Sequence, residues 1–273
     1  MKLKKRIKKT YKETKRSSLV VYTILRILVI ICMIMQIIRG NFENAMLCIF
    51  SLLLLTLPYF IQKGFKITLP NTLEIIILLF IFSSEILGEI QNFYGIFPFW
   101  DTMLHTINGF LAAAVGFSLI HLLNKKSNKL KLSPIYLSLV AFCFSMTIGV
   151  LWEFFEFGVD NLMNKDMQKD RIVDNISSVK IDPENKDNII TVKDIDYVIM
   201  YDKENKELLK IEGGVLDIGL IDTMKDLIVN FIGAVVFSIF GYFYLITNGK
   251  HKFITNFVPQ KGIRKNKVNI FRK

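Results

Sequence analysis

Six stretches of this chain are apolar enough to ask for lipid as their solvent: 19–38, 45–61, 72–90, 100–123, 134–158 and 220–247. A bilayer core about 30 Å thick needs roughly 20 apolar residues per spanning helix, so each run reads as one crossing. The whole chain of 273 residues is 52% hydrophobic, too apolar for an ordinary soluble domain. The expected fold is an all-α membrane protein of about six transmembrane helices. The second run is short and holds Pro58, but omitting it would put the two ends of the chain on opposite sides of the membrane.

Charge sets the orientation. With six crossings, the arm 1–18, the loop with Lys63 and Lys66, the loop 124–133 and the tail 248–273 share one side, and they hold 23 of the 35 Lys and Arg residues. The positive-inside rule makes that side cytoplasmic, which predicts a multi-pass protein of the cell membrane with both termini inside. The first run is too long for a signal-peptide core and no small-residue cleavage site follows it, so it reads as a retained helix. Attraction to anionic lipid accounts for the net charge of +11 and leaves no nucleic-acid partner to invoke. Cys32, Cys48 and Cys143 lie inside apolar runs without a CxxC spacing and read as packing residues.

Residues 159–219, between runs 19–158 and 220–247, form the one long polar segment and are expected outside the cytoplasm. Long loops cross regardless of charge, so the nine basic residues from Lys165 to Lys210 do not oppose that placement. Within the segment, "DYVIMYDKENKELLKIEGG" has two β-rich runs around a polar turn, the pattern of a β-hairpin insertion.

The apolar runs also carry acids in helical register. Glu153, Glu156 and Asp160 are spaced i, i+3, i+7 near the end of the fifth run. Asp101 and His105 open the fourth at i, i+4, with Asn108 and Gly109 on the next turn. Asp222, Asp226 and Asn230 open the sixth at i, i+4, i+8, and Glu85 and Glu89 sit late in the third. Helices running in opposite directions would therefore bring these groups to similar depth on the outer side. An ionisable group in a membrane is costly unless paired or lining a cavity, which marks it as a functional candidate. There is no GxSxG, P-loop or HExxH. His121 and His251 are remote from the cluster, which excludes a three-histidine zinc site.

One imidazole among carboxylates suits Mg²⁺, Mn²⁺ or Ca²⁺, with a mixed Zn²⁺ site still open. The expected ligands are Asp101, His105, Glu153, Glu156, Asp222 and Asp226, with Glu85 and Asn230 as further members of the polar cluster. His105 and Glu153 are the candidates for proton transfer. Lys225 beside Asp226 could instead neutralise part of the cluster without any metal.

Asp101-x3-His105, Glu153-x2-Glu156 and Asp222-x3-Asp226, on successive spans, resemble the pattern of the YjdF-type bacterial inner-membrane family, multi-pass proteins without an assigned activity. More distantly, this order of motifs, with "DLIVNFIGA" opening the last helix, is similar to VanZ-like membrane proteins, which carry Gln at the place of Glu156 and a shorter loop before the last helix. The resemblance covers about residues 70–245 and implies an architecture, not a reaction.

Three readings remain at this point. The first is an envelope protein or hydrolase whose divalent cation engages the anionic group of an envelope lipid or glycolipid. The second is an ion- or proton-coupled transporter, and the third a scaffold whose acids lock helices together. Nothing in the sequence fixes an oligomeric state.

Overall fold

The structure, a computed structural model, describes residues 2–65, 67–126, 131–184, 186–247, 256–258 and 260–261. The basic stretches at 127–130, 248–255 and 262–273, together with Lys66 and His251, lie outside the described residues. Helix α1 (Lys2–Ile38) turns at Gly40, whose φ of +74° favours glycine, into α2 (Phe42–Leu54). Asn41 caps α2 by accepting from the Asn44 N–H at 3.0 Å. A break at Leu55 and Thr56 leads to α3 (Leu57–Phe65), where Pro58 sits in the first turn and its missing N–H leaves no ladder bond unmade.

After the two-residue strand β1 (Ile67–Thr68), α4 (Asn71–Phe82) continues without interruption as a π-helix, Ser83–Ile90. Then come the short α5 (Phe93–Ile96) and the long helices α6 (Trp100–Lys126), α7 (Pro134–Met163) and α8 (Leu220–Ile246).

Among the described residues, five segments are long and apolar enough to cross a membrane: Ser17–Ile38, Phe42–Gly64, Trp100–Lys125, Pro134–Met163 and Leu220–Ile246. The expected run 72–90 is helical throughout, but the change from α to π at Ser83 divides it into pieces of 12 and 8 residues. This is an all-α membrane protein with a small β insertion.

Two compact units make up the chain. The first comprises residues 1–149 and 228–273, the second residues 150–227, and the division falls inside α7 and α8. In the first unit α1 packs on α2 and α4. Its buried stripe is Leu25, Val29, Cys32 and Gln36, while Ile24, Ile27, Leu28, Ile31 and Ile34 face outward, as in a helix that meets protein on one side and lipid on the other. Asn71 ties α4 to α1, accepting from the Ser18 N–H at 3.2 Å and donating to Ser17 Oγ at 2.8 Å.

The second unit contains three antiparallel strand pairs. Strand β2 (Arg171–Val173) pairs with β7 (Val215–Asp217), β3 (Ile176–Ser178) with β4 (Ile190–Val192), and β5 (Tyr197–Tyr201) with β6 (Glu207–Glu212). The last pair is the hairpin that the sequence pattern predicts. The segment is thus built of nested strand pairs, with the outermost drawing its two ends together. A further strand, β8 (Gln260–Lys261), belongs to the first unit and pairs antiparallel with β1.

Candidate functional site

Helix α6 opens with its acid in the first turn, where the helix dipole favours a carboxylate. One turn on, His105 Nε2 lies 3.4 Å from Asp101 Oδ1, and His105 is buried. The start of α6 is pinned by its first residue, since the Trp100 indole N–H donates to the Ser83 carbonyl at 3.3 Å, at the beginning of the π-helix. Phe93 packs edge-on against the same indole at 4.9 Å.

The π-helix changes the residue register. Within it Glu85 is buried and Glu89, four residues on, is exposed. Gly88 makes room for the Tyr94 ring, which a Cβ there would overlap. Burial pushes the Tyr94 phenol above its ordinary range; Ser84, 3.3 Å away, acts in the opposite direction, and the charges of Glu89, Asp101 and Glu85 add to the rise. Tyr94 therefore stays a neutral hydroxyl among acids.

On the next turn α6 meets α8 at close range. A Cβ on Gly109 would run into the Asn230 carbonyl, and one on Gly233 into the Thr106 carbonyl. Ser145 Oγ donates to the Gly109 carbonyl at 2.7 Å, and Gly149 lies against the Asn230 amide. Small residues let the backbones approach, as in many membrane helix pairs. Asn230, fully buried, accepts from Asn108 Nδ2 at 3.3 Å and directs its own N–H toward Met146 Sδ at 3.7 Å.

Beyond Gly109 the character of α6 changes to aromatic. The Phe110 ring is edge-on to Phe237 at 5.1 Å, and Phe117 to Phe237 at 5.9 Å. His121 stacks on Phe117 at 5.7 Å, which makes it a packing residue of that layer.

In the second unit Glu153, Glu156, Asp222 and Asp226 are all buried. Trp152 Nε1 donates to Glu156 Oε1 at 2.7 Å. Asp222 has both oxygens engaged, Oδ1 with Arg171 Nη2 at 2.8 Å and Oδ2 with the Lys169 N–H at 3.0 Å. Asp160 likewise accepts two backbone N–H bonds, from Met167 at 2.6 Å and Gln168 at 2.8 Å, and serves to turn the chain out of α7. Sequence reasoning missed Arg171 and Trp152. The i, i+4 spacing of Trp152 and Glu156 was a signal for the second, and nothing in the sequence pointed to the first. By donor type, Asp101 and His105 in the first unit, and Glu153, Glu156 and Asp226 in the second, are residues that could serve as metal ligands.

Comparison with other proteins adds a family. A stretch of 106 residues is 29% identical to an uncharacterized protein of Thermotoga maritima, covering 39% of this chain and 53% of that relative, so the chain spans about half of the relative's length. No solved structure matches. Residues 20–247 match the family described as "Predicted membrane protein (DUF2238)", and the chain belongs to that family.

Proposed function

We propose that this is a multi-pass protein of a bacterial cell membrane that binds a divalent cation through Asp101, His105, Glu153, Glu156 and Asp226. The cation would engage the anionic group of an envelope lipid or glycolipid. The carrying observation is the Asp101–His105 pair in the first turns of an apolar helix, 3.4 Å apart, with His105 buried and Asp101 half-buried. An ionisable pair at such a place is expensive unless it has work to do.

Helix periodicity supports the wider set. Gly109, Gly149 and Asn230 pack together in the first unit. His105 is one turn from Gly109 on α6, Glu153 one turn from Gly149 on α7, and Asp226 one turn from Asn230 on α8. Asp222, with both oxygens occupied, holds the loop through Arg171 and is left out of the ligand set.

Carboxylates with one imidazole suit Mg²⁺ or Mn²⁺, and a mixed set also accepts Zn²⁺ or Ca²⁺. A bound ion of this kind polarises a phosphoryl or carboxyl oxygen. In a hydrolytic form His105 and Glu153 would move the proton. Membership of a predicted membrane protein family supports the membrane setting. The charge distribution supports six crossings with 159–219 outside and both termini inside.

The test is thermal unfolding of detergent-purified protein with Mn²⁺ and with a chelator. An ion at about 100 times its Kd stabilises by about 2.7 kcal/mol, an upward shift of several degrees. Asp226→Asn should abolish the shift, and Asp187→Asn in the exposed loop should keep it. If no divalent ion raises the melting temperature of the parent and chelation changes nothing, the cation reading fails.

A further inference from the structure

Helices α1 and α2 of the first unit are joined by a short turn and pack on each other as a helical hairpin. The turn fixes which residues meet. The Gly40 N–H donates to the Ile37 carbonyl at 3.0 Å and the Asn41 N–H to the Gln36 carbonyl at 2.9 Å, which closes α1 just before Asn41 caps α2. Cys32 lies eight residues before Gly40 and Cys48 eight residues after it. Equal distances from the turn of a helical hairpin give equal depth.

Both cysteines are buried, at 6% and 0% exposure. Cys32 belongs to the buried stripe of α1, between Val29 and Gln36. Cys48 belongs to a buried stripe of α2 with Ala45 and Ser51, whose small side chains let the two backbones approach. The Cys32 and Cys48 thiols are hydrogen-bonded to each other. Two of the three cysteines in the chain thus meet. No CxxC spacing announces them, because the hairpin joins partners 16 residues apart.

We propose that Cys32 and Cys48 are a disulfide site, whose bond staples α1 to α2. The bond asks two sulfurs already in contact to close to about 2.05 Å. Its product is neutral, which suits the apolar core around it. A soft monovalent ion held by two thiolates would instead leave a net negative charge there, at a high desolvation cost. Closure is an exchange with a disulfide carrier. One cysteine thiolate attacks a carrier sulfur to give a mixed disulfide, the second displaces the carrier, and both carrier sulfurs leave as thiols. The two electrons and two protons of the cysteines pass to the carrier. Since Cys48 is wholly buried in the folded unit, the exchange belongs to the stage when the hairpin has formed and is still uncovered. Burial then shields the bond from reduction. The pair sits at the end of α1 far from the basic arm 1–18, the end that the proposed orientation places outside, where disulfides persist. The staple requires neither the cation nor its ligands.

The experiment takes full-length protein in bacterial membranes and dissolves it directly in denaturant with a polyethylene-glycol maleimide, with and without prior reduction. Before reduction only Cys143 should react, one thiol of the three, and after reduction all three should. Trypsin cuts between the pair at Arg39, so the unreduced digest should hold residues 27–39 and 40–63 as one linked species that reduction separates. Cys48→Ser should free Cys32 and give two reactive thiols before reduction. Cys32→Ser should do the same for Cys48, and either variant serves if the other folds poorly. Three reactive thiols in the parent before reduction, a link that joins two chains, or closure only after copper–phenanthroline is added would overturn the inference.

Discussion

The helices and the 164–219 loop both keep carboxylates in place, and they do so with different donors. In the loop, backbone N–H groups are at hand. Asp182 accepts from Glu184 and Lys186 at 3.0 Å and from Asn188 at 3.1 Å, and Asp217 accepts from the Ile221 N–H at 3.0 Å. Asp222, at the junction, takes one backbone N–H and one guanidinium from the loop. Inside a helix the N–H groups are already committed to the ladder. Asn230 there meets Asn108 and a thioether, and Asp101, in the first turn of α6, meets His105. A loop can satisfy an acid from its own backbone. A membrane helix can do so only with side chains or with a ligand, which is why the helix-borne acids, and not the loop acids, mark the candidate site.

The largest effect should come from breaking the helical side of this contrast. Gly109→Leu would drive a side chain into the Asn230 carbonyl and the Asn108–Asn230 contact. Overpacking costs about 1–3 kcal/mol where neighbours can shift, and backbone cannot, so a loss of about 3 kcal/mol or more is expected. Unfolding in detergent would register it as a drop in melting temperature or as failure to give monodisperse protein, and a neutral outcome would contradict the close crossing.

A middle effect is expected at the junction. Arg171→Ala strands the buried Asp222 carboxylate, but the arginine is 41% exposed, so water recovers part of the loss. Breaking a fully buried pair costs about 3–5 kcal/mol and an exposed one less than about 1, which puts this change near ~2 kcal/mol. Arg171→Ala combined with Asp222→Asn should cost less than the sum of the single changes, as a double-mutant cycle would read.

The smallest effect belongs to the loop alone. The backbone N–H of Glu184 first, then those of Asn188 and Lys186, hold the Asp182 carboxyl below its ordinary range, against a smaller opposing contribution from burial. A carboxyl depressed in the folded state stabilises the fold above its unfolded pKa, and the gain is lost as pH falls through the lower folded value. The amide resonances of Glu184, Lys186 and Asn188 should therefore move together at a pH below that of an ordinary aspartate. Asp182→Asn should abolish the transition, and movement at the usual aspartate pH would contradict the bonding described.

Several parts of this molecule were legible in the chain alone. Length and apolarity decide a membrane helix because the solvent there leaves the backbone no alternative. The Asp101–His105 pair followed from i, i+4 spacing, which a helix turns into contact. The β5–β6 hairpin followed from two β-rich runs around a polar turn, a local pattern that needs no distant partner.

The missed features all join residues that are apart in the chain or depend on such a join. The apolar run 72–90 promised one regular helix, and the π-helix that ends it is accompanied by a tryptophan 17 residues after Ser83 binding its carbonyl. Arg171 reaches Asp222 across 51 residues, and only the closure of β2 on β7 brings it there. Phe257 lies in a stretch whose charge reads as a solvated tail, yet its ring sits against Phe110 and its neighbours pair with β1. By itself the sequence determined which segments are long apolar helices and which residues lie one turn apart on them, because both follow from bond geometry and solvation along one element. The tertiary structure decided which acids meet a basic partner and which distant segments pack together, because those outcomes rest on long-range contacts whose chain-entropy cost no local pattern encodes.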